Sequence, residues 1–185
     1  MNKIYGRVAF WNSQRYNREF NHELSFNLLK EEFEEWCHAD TEVDELDALC
    51  DVVFVSFGIV WKLGLTTAEL EGKGEAAANY VNSMLDNFDY IDAMVKELKC
   101  FAACITKQEY VEVVYRIVLV SMTQALGMGL TEVQVKQALH IVCDSNESKS
   151  IRMNASNVKA NTNKGTLFIA PERRLAKLLS KRGRQ

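Results

Sequence analysis

Apolar positions along this chain recur mostly at three- and four-residue intervals, the period of helices with one covered face. Leu24, Leu28, Phe33 and Trp36 mark such a stripe within residues 10–39, which read as one long helix or two joined ones. Asp40-Thr41 is a break, with Thr41 as N-cap of a second long helix over 42–63, stopped by Gly64 in the C′ position. From Leu49 to Trp61 that helix is apolar nearly all round, which predicts that it is buried. A short helix and a glycine-containing loop are expected over 66–75, a third long helix over 76–105 and a fourth over 108–126. After the Gly127-Met128-Gly129 turn, Thr131 caps a helix to about 143. From Asp144 the composition turns loop-like. Residues 165–170 suggest a short extended piece, and Pro171 opens a last short helix over 172–181.

Long helices with short connections predict an all-α, four-helix-bundle-like domain over 1–185. One proline and nine glycines leave little punctuation for a strand-rich alternative. Residues 66–117 read as an insertion or a decayed repeat, and 176–185 as a flexible tail. A faint echo supports the repeat: Val55-Ser56 and Gly64-Leu65-Thr66 return as Val120-Ser121 and Gly129-Leu130-Thr131. Leu28-Leu29-Lys30-Glu31 also resembles Met94-Val95-Lys96-Glu97. A copy of this kind would have lost acids, because Glu112 and Arg116 stand where Asp47 and Asp51 would be; chance similarity is the other reading.

Five cysteines, an odd number without a CxxC pair, are expected to be free, buried thiols of a reducing, cytoplasmic compartment, and their spacing does not suggest zinc. No apolar run reaches the roughly 18 uncharged residues of a membrane span. The stretch from Met1 to Arg7 lacks a signal-peptide core. The net charge of −3 hides an asymmetry: up to Ser148 there are 12 basic and 24 acidic residues, and from Lys149 onward 10 basic residues and one acid. A basic tail of this kind meets either phosphate or the acidic body, and its last five residues are expected to be solvated.

Two acidic segments bear the candidate chemistry. Glu31, Glu32 and Glu35 are neighbours at helical spacing, whereas Glu34 falls beside Lys30 and His38, on the solvated side. Asp44, Asp47 and Asp51 share one stripe of the next helix, and Glu45 is expected at the surface. Asp51 is the sharper signal, as the single charge between Asp47 and Lys62. The plain alternatives are a solvated glutamate face with i,i+4 ion pairs, and an Asp51 paired to an arginine or lysine. Acids from two helices around one buried aspartate otherwise suit a hard divalent cation, Mg²⁺ or Mn²⁺.

Glu31-Glu32-x-x-Glu35, then Asp47-Ala48-Leu49-Cys50-Asp51 before a long apolar run, resembles the all-α nucleoside triphosphate pyrophosphohydrolase superfamily. That group includes MazG-like proteins, dimeric dUTPases and phosphoribosyl-ATP pyrophosphohydrolases, and the flavour is of the phage-borne type. Ser145-Asn146-Glu147-Ser148-Lys149 is similar to an SNxSK segment of such domains, and the stretch from Val158 to Glu172 resembles their C-terminal segment. One departure is Ala48, which stands where the family's ExxD motif has its glutamate, so Asp47 serves from one position earlier.

The resemblance implies hydrolysis of a (deoxy)nucleoside triphosphate to monophosphate and pyrophosphate, in the nucleotide pool, with Mg²⁺ or Mn²⁺ held by Glu32, Glu35, Asp47 and Asp51. Glu31, as a ligand or a water-orienting base, and Glu35 are the candidate catalytic residues. Lys149 would meet phosphate and Asn146 sugar or phosphate, with Arg152, Lys159 and Lys164 as further phosphate candidates. Trp11, Asn12 and Arg15, with Phe10, are candidates for stacking on and reading a base; Phe10 and Trp11 could equally be core or interface residues. Trp36 and Trp61 are expected in the core, and His22, His38 and His140 show no ligand spacing. A homodimer or homotetramer is expected, both from excess apolar surface and from the resemblance. Hydrolysis of dUTP or phosphoribosyl-ATP is an alternative. So is a non-catalytic helical module whose tail binds nucleic acid or an acidic partner, although the tail lacks the aromatic interleaving of a single-strand binder.

Overall fold

The helix that carries Asp51 is the hub of the molecule. The structure, a computed structural model, describes residues 1–15, 19–66, 89–151 and 162–182, with side chains throughout except at 150, 151, 162 and 163. These residues form seven helices: α1 (Asn2–Ser13), α2 (His22–Cys37), α3 (Glu42–Lys62), α4 (Tyr90–Ala103), α5 (Lys107–Gly127), α6 (Glu132–Ser148) and α7 (Glu172–Leu179). One antiparallel pair of two-residue strands, β1 (Ser150–Ile151) and β2 (Thr162–Asn163), follows α6, with Ser150 opposite Asn163. The protein is all-α.

Local chemistry sets the bounds of α3. The Thr41 hydroxyl accepts the amide of Asp44 at 3.2 Å, and Glu42, Asp44 and Glu45 place negative charge at the positive end of the helix. Asp44 is therefore part of the cap. At the far end Gly64 takes φ +76°, a conformation costly for any residue with a Cβ. Among the described residues no neighbour would touch a Cβ there, so the expected cost of Gly64→Ala is one of backbone. It is expected to be about 1 kcal/mol, read as a lower urea midpoint at unchanged m-value.

Between its caps α3 buries Leu46, Leu49, Val53, Phe57 and Val60, among others, and it packs against α1, α2, α5, α6 and α7. Helix α4 packs on both α5 and α2, so α2, α3, α5 and α4 touch in a closed ring. Helix α1 crosses α3 at Gly58, where an added Cβ would lie 3.3 Å from the Asn12 amide. Arg7 ties α1 to α6 through Asp144 (2.6 Å) and Glu147 (2.7 Å).

Several expectations are corrected. The stretch 10–39 is two separate helices, and the first begins near the chain start, at Asn2. Asn21 then caps α2 by accepting the amide of Leu24 at 2.8 Å. Helix α6 continues through the polar run to Ser148 because Ser145 and Asn146 are buried, which the composition did not suggest. Residues 165–170 are a turn and coil. The tail from 176 is not loose up to 182: Leu175, Leu178 and Leu179 are buried, Arg174 pairs with Asp144 at 2.7 Å, and Arg182 pairs with Glu42 at 2.5 Å. Glu45 is not a plain surface residue, since it accepts from Gln124 at 2.7 Å and from the Trp36 indole at 3.3 Å. All five cysteines are free, but only Cys50 and Cys143 are buried, and Cys37 is exposed. The expected helix over 66–75 and the start of the third helix fall on 67–88, outside the described residues. Among the described residues no single helix is long and apolar enough to cross a membrane.

Candidate acidic site

Helices α2 and α3 bring Glu32, Glu35, Asp47 and Asp51 within electrostatic reach of one another, and the end of α6 brings up Asn146 and Lys149. Asp51 is enclosed by protein yet keeps a partly exposed surface. The Asn146 amide donates to Asp51 Oδ1 at 3.0 Å and to the carbonyl of Val142 at 3.2 Å. Lys149 Nζ donates in turn to Asn146 Oδ1 at 2.7 Å. A lysine ammonium, an asparagine amide and a carboxylate thus form one chain.

The field at this spot is strongly negative. Loss of solvent, then repulsion from Asp51 and Glu35, pushes the Glu32 carboxyl up to about 8. Burial, then Asp51 and Glu172, pushes Asp47 up to about 7. Asp51 is also raised by burial, against the opposing pull of Lys149, the Asn146 hydrogen bond and Lys164. Oδ1 of Asp47 is buried without a hydrogen-bond partner among the described residues. An orphaned carboxylate oxygen among mutually repelling acids is the arrangement that a cation would relieve.

The donor set consists of hard oxygens without sulfur or imidazole, which fits Mg²⁺ or Mn²⁺. Among the described residues no group of three or more His, Cys, Asp or Glu side chains stands ready-formed to hold an ion.

Glu31 is not among the largest influences on Glu32, Asp47 or Asp51, although it has an interaction of its own. Lys164 does act on Asp51. Glu172, in the first turn of α7, is a member of the acid set that the sequence reading gave no role; its signal was the helix start at Pro171. Arg152 and Lys159 lie outside the described residues.

Beside Lys149 an open cleft of about 600 Å³ is lined by Phe10, Trp11, Arg15, Ser148 and Leu167, among others. Phe10 is 63% exposed and Leu167 84% exposed, so the mouth of the cleft is apolar. Trp11 is half-buried, packs edge-on against Phe54 at 5.3 Å and donates its indole N–H to the carbonyl of Asn146 at 2.8 Å. The Arg15 guanidinium lies 3.7 Å from the Trp11 ring centroid and donates to the carbonyl of Lys149 at 3.1 Å. Its Nε is buried without a partner among the described residues, and burial pushes its pKa down to about 10. Asn12 does not line the cleft: it is 4% exposed and donates to the carbonyl of Val8, one turn back in its own helix. It fits the α1–α3 crossing rather than a base. A second cleft of about 640 Å³, between α1, α5 and α6, contains none of these acids.

Comparison of the chain with protein-family models, with curated proteins and with solved structures gave no match.

Proposed function

We propose that this chain is a Mg²⁺- or Mn²⁺-dependent nucleoside triphosphate pyrophosphohydrolase, as its acidic motifs suggest by resemblance. The observation that carries the reading is the chain Lys149–Asn146–Asp51, which sets a phosphate-binding cation 2.7 Å from the amide that grips the central acid. Glu32, Glu35, Asp47 and Asp51 would hold the metal, which when bound neutralises phosphate oxygens and acidifies water.

The remaining work falls to the chain itself. Lys149 offers a point charge to the phosphates, and Asn146 fixes both its direction and that of Asp51. Glu35, an exposed acid of this group, would take a proton from water as the bond between the α- and β-phosphates is hydrolysed, with Glu31 as the other candidate base. The cleft over Trp11, Phe10 and Leu167 receives the nucleoside, with Arg15 at its base. A homodimer or homotetramer remains the proposed assembly. Hydrolysis of dUTP or phosphoribosyl-ATP would use the same groups and differ in the cleft. A nucleic-acid-binding tail is less well supported, because Arg174 and Arg182 are already paired to the acidic body.

The test is pyrophosphate release by purified protein with Mg²⁺ or Mn²⁺ from a panel of common and modified NTPs and dNTPs. Silence across the panel sinks the reading. Lys149→Met is expected to raise KM by about tenfold, with a smaller change in kcat, in steady-state kinetics on the best substrate. A point substitution is the cleaner probe of the tail, because truncation after Ser148 would also strip the core of Leu175, Leu178 and Leu179.

A further inference from the structure

The α4–α5 hairpin repeats the α2–α3 hairpin at an offset of 65 residues, which sets Met94 against Leu29 and Glu97 against Glu32, one residue later than the sequence echo at Leu28 to Glu31 had them. Thr41 and Thr106 are both N-caps, of two helices of 21 residues each. Gly64 and Gly129 both take positive φ, at +76° and +85°, and each is followed by a buried leucine, Leu65 or Leu130. Ser56 and Ser121 are both fully enclosed. On the shorter helices, buried Leu29 and Trp36 correspond to buried Met94 and Phe101. Caps, turn geometry and burial phase depend on different physics, and all of them keep the same register.

The same register pairs Glu32 with Glu97 and Asp51 with Arg116. In the first hairpin these two positions hold two acids, Glu32 and Asp51. In the second they hold an ion pair: Arg116 Nε donates to Glu97 Oε2 at 2.8 Å, and Glu97 is 1% exposed. A buried carboxylate needs a cation, and here the chain supplies one covalently.

We infer that the α4–α5 hairpin holds a second divalent-cation site that has been closed by Arg116, whose guanidinium takes the place of the metal beside Glu97. This rests on the reading of Glu32 and Asp51 as metal ligands and adds that the chain keeps one working site and one plugged copy of it. The ring of α2, α3, α5 and α4 is then two copies of one hairpin joined in one chain.

The experiment reads Mn²⁺ binding by the full chain, by calorimetry with the metal alone. Wild type is expected to bind Mn²⁺, and Asp51→Asn to weaken binding by about a hundredfold. Adding Arg116→Asp to Asp51→Asn is expected to restore one Mn²⁺ per chain, bound more weakly than by wild type because Cys100 stands at the position of Glu35. Absence of Mn²⁺ binding by wild type overturns both the proposed function and this inference. Binding by wild type with none by a folded double variant overturns the inference alone. Asp51→Arg is the converse variant, and it decides the matter if the double variant does not fold. It should build in the first hairpin the pair already seen in the second, remaining cooperatively folded within about 5 °C of wild type while losing the Mn²⁺-induced rise in Tm. An unfolded Asp51→Arg protein overturns the equivalence of the two positions.

Discussion

Asp51→Asn is expected to lower pyrophosphate release on the order of a thousandfold while leaving the helical circular-dichroism signal unchanged. The substitution is nearly isosteric, so the packing of α3 around it is kept. What it removes is one negative charge between α2 and α3, where Asp51 bears on both Glu32 and Asp47. The Asn146 amide, which now donates to Asp51 Oδ1, can still donate to an amide oxygen. Structural loss is therefore small, and the loss of cation affinity is large. Removing the charge also relieves repulsion, so the metal-free variant should be slightly more stable than wild type in urea titrations. Higher metal-free stability with lost turnover is the pattern of a functional acid. Lower stability with retained turnover would mark Asp51 as a structural aspartate and refute the metal assignment.

What the sequence disclosed and what it hid follow from how local each determinant is. Helix α3 is legible because its cap, its apolar run and its terminal glycine all lie within it. The grouping of Glu32 and Asp51 is legible because helical periodicity fixes which side faces the neighbour. The Asn146–Asp51 hydrogen bond spans 95 residues, and no spacing rule reaches that far; only the resemblance pointed to Asn146. Glu172 enters the acid set through the docking of α7 on α3, a tertiary event. Asn12 misled because a polar residue beside an aromatic pair reads as a binding edge. Its surroundings are set instead by the helix crossing at Gly58, where a side chain would meet its amide. Glu45 misled in the opposite sense: its partner Gln124 comes from α5, which the pattern of its own helix does not reveal.

The second large effect concerns pH. Glu32 is pushed up to about 8 and Asp47 to about 7 in the folded protein, from ordinary carboxylate values in the unfolded chain. The folded state therefore binds more protons than the unfolded state between about pH 4 and pH 8, and ν_U − ν_N is negative there. Metal-free stability is then full below about pH 4, as far as these groups govern it. It falls as the pH rises through 7 and 8, by on the order of 3 kcal/mol. Chemical denaturation with EDTA at pH 5.5 and pH 8.5 checks this, with the lower midpoint expected at pH 8.5. A divalent cation binds the deprotonated acids, so added Mg²⁺ or Mn²⁺ should restore stability most at high pH and least at low pH. Metal binding in buffers of different ionisation enthalpy should likewise release protons near pH 7, and release fewer in Asp51→Asn. A metal-free midpoint that rises between pH 5.5 and 8.5 would mean that the acids are already compensated in the folded chain, and the electrostatic case for a cation between α2 and α3 would be lost.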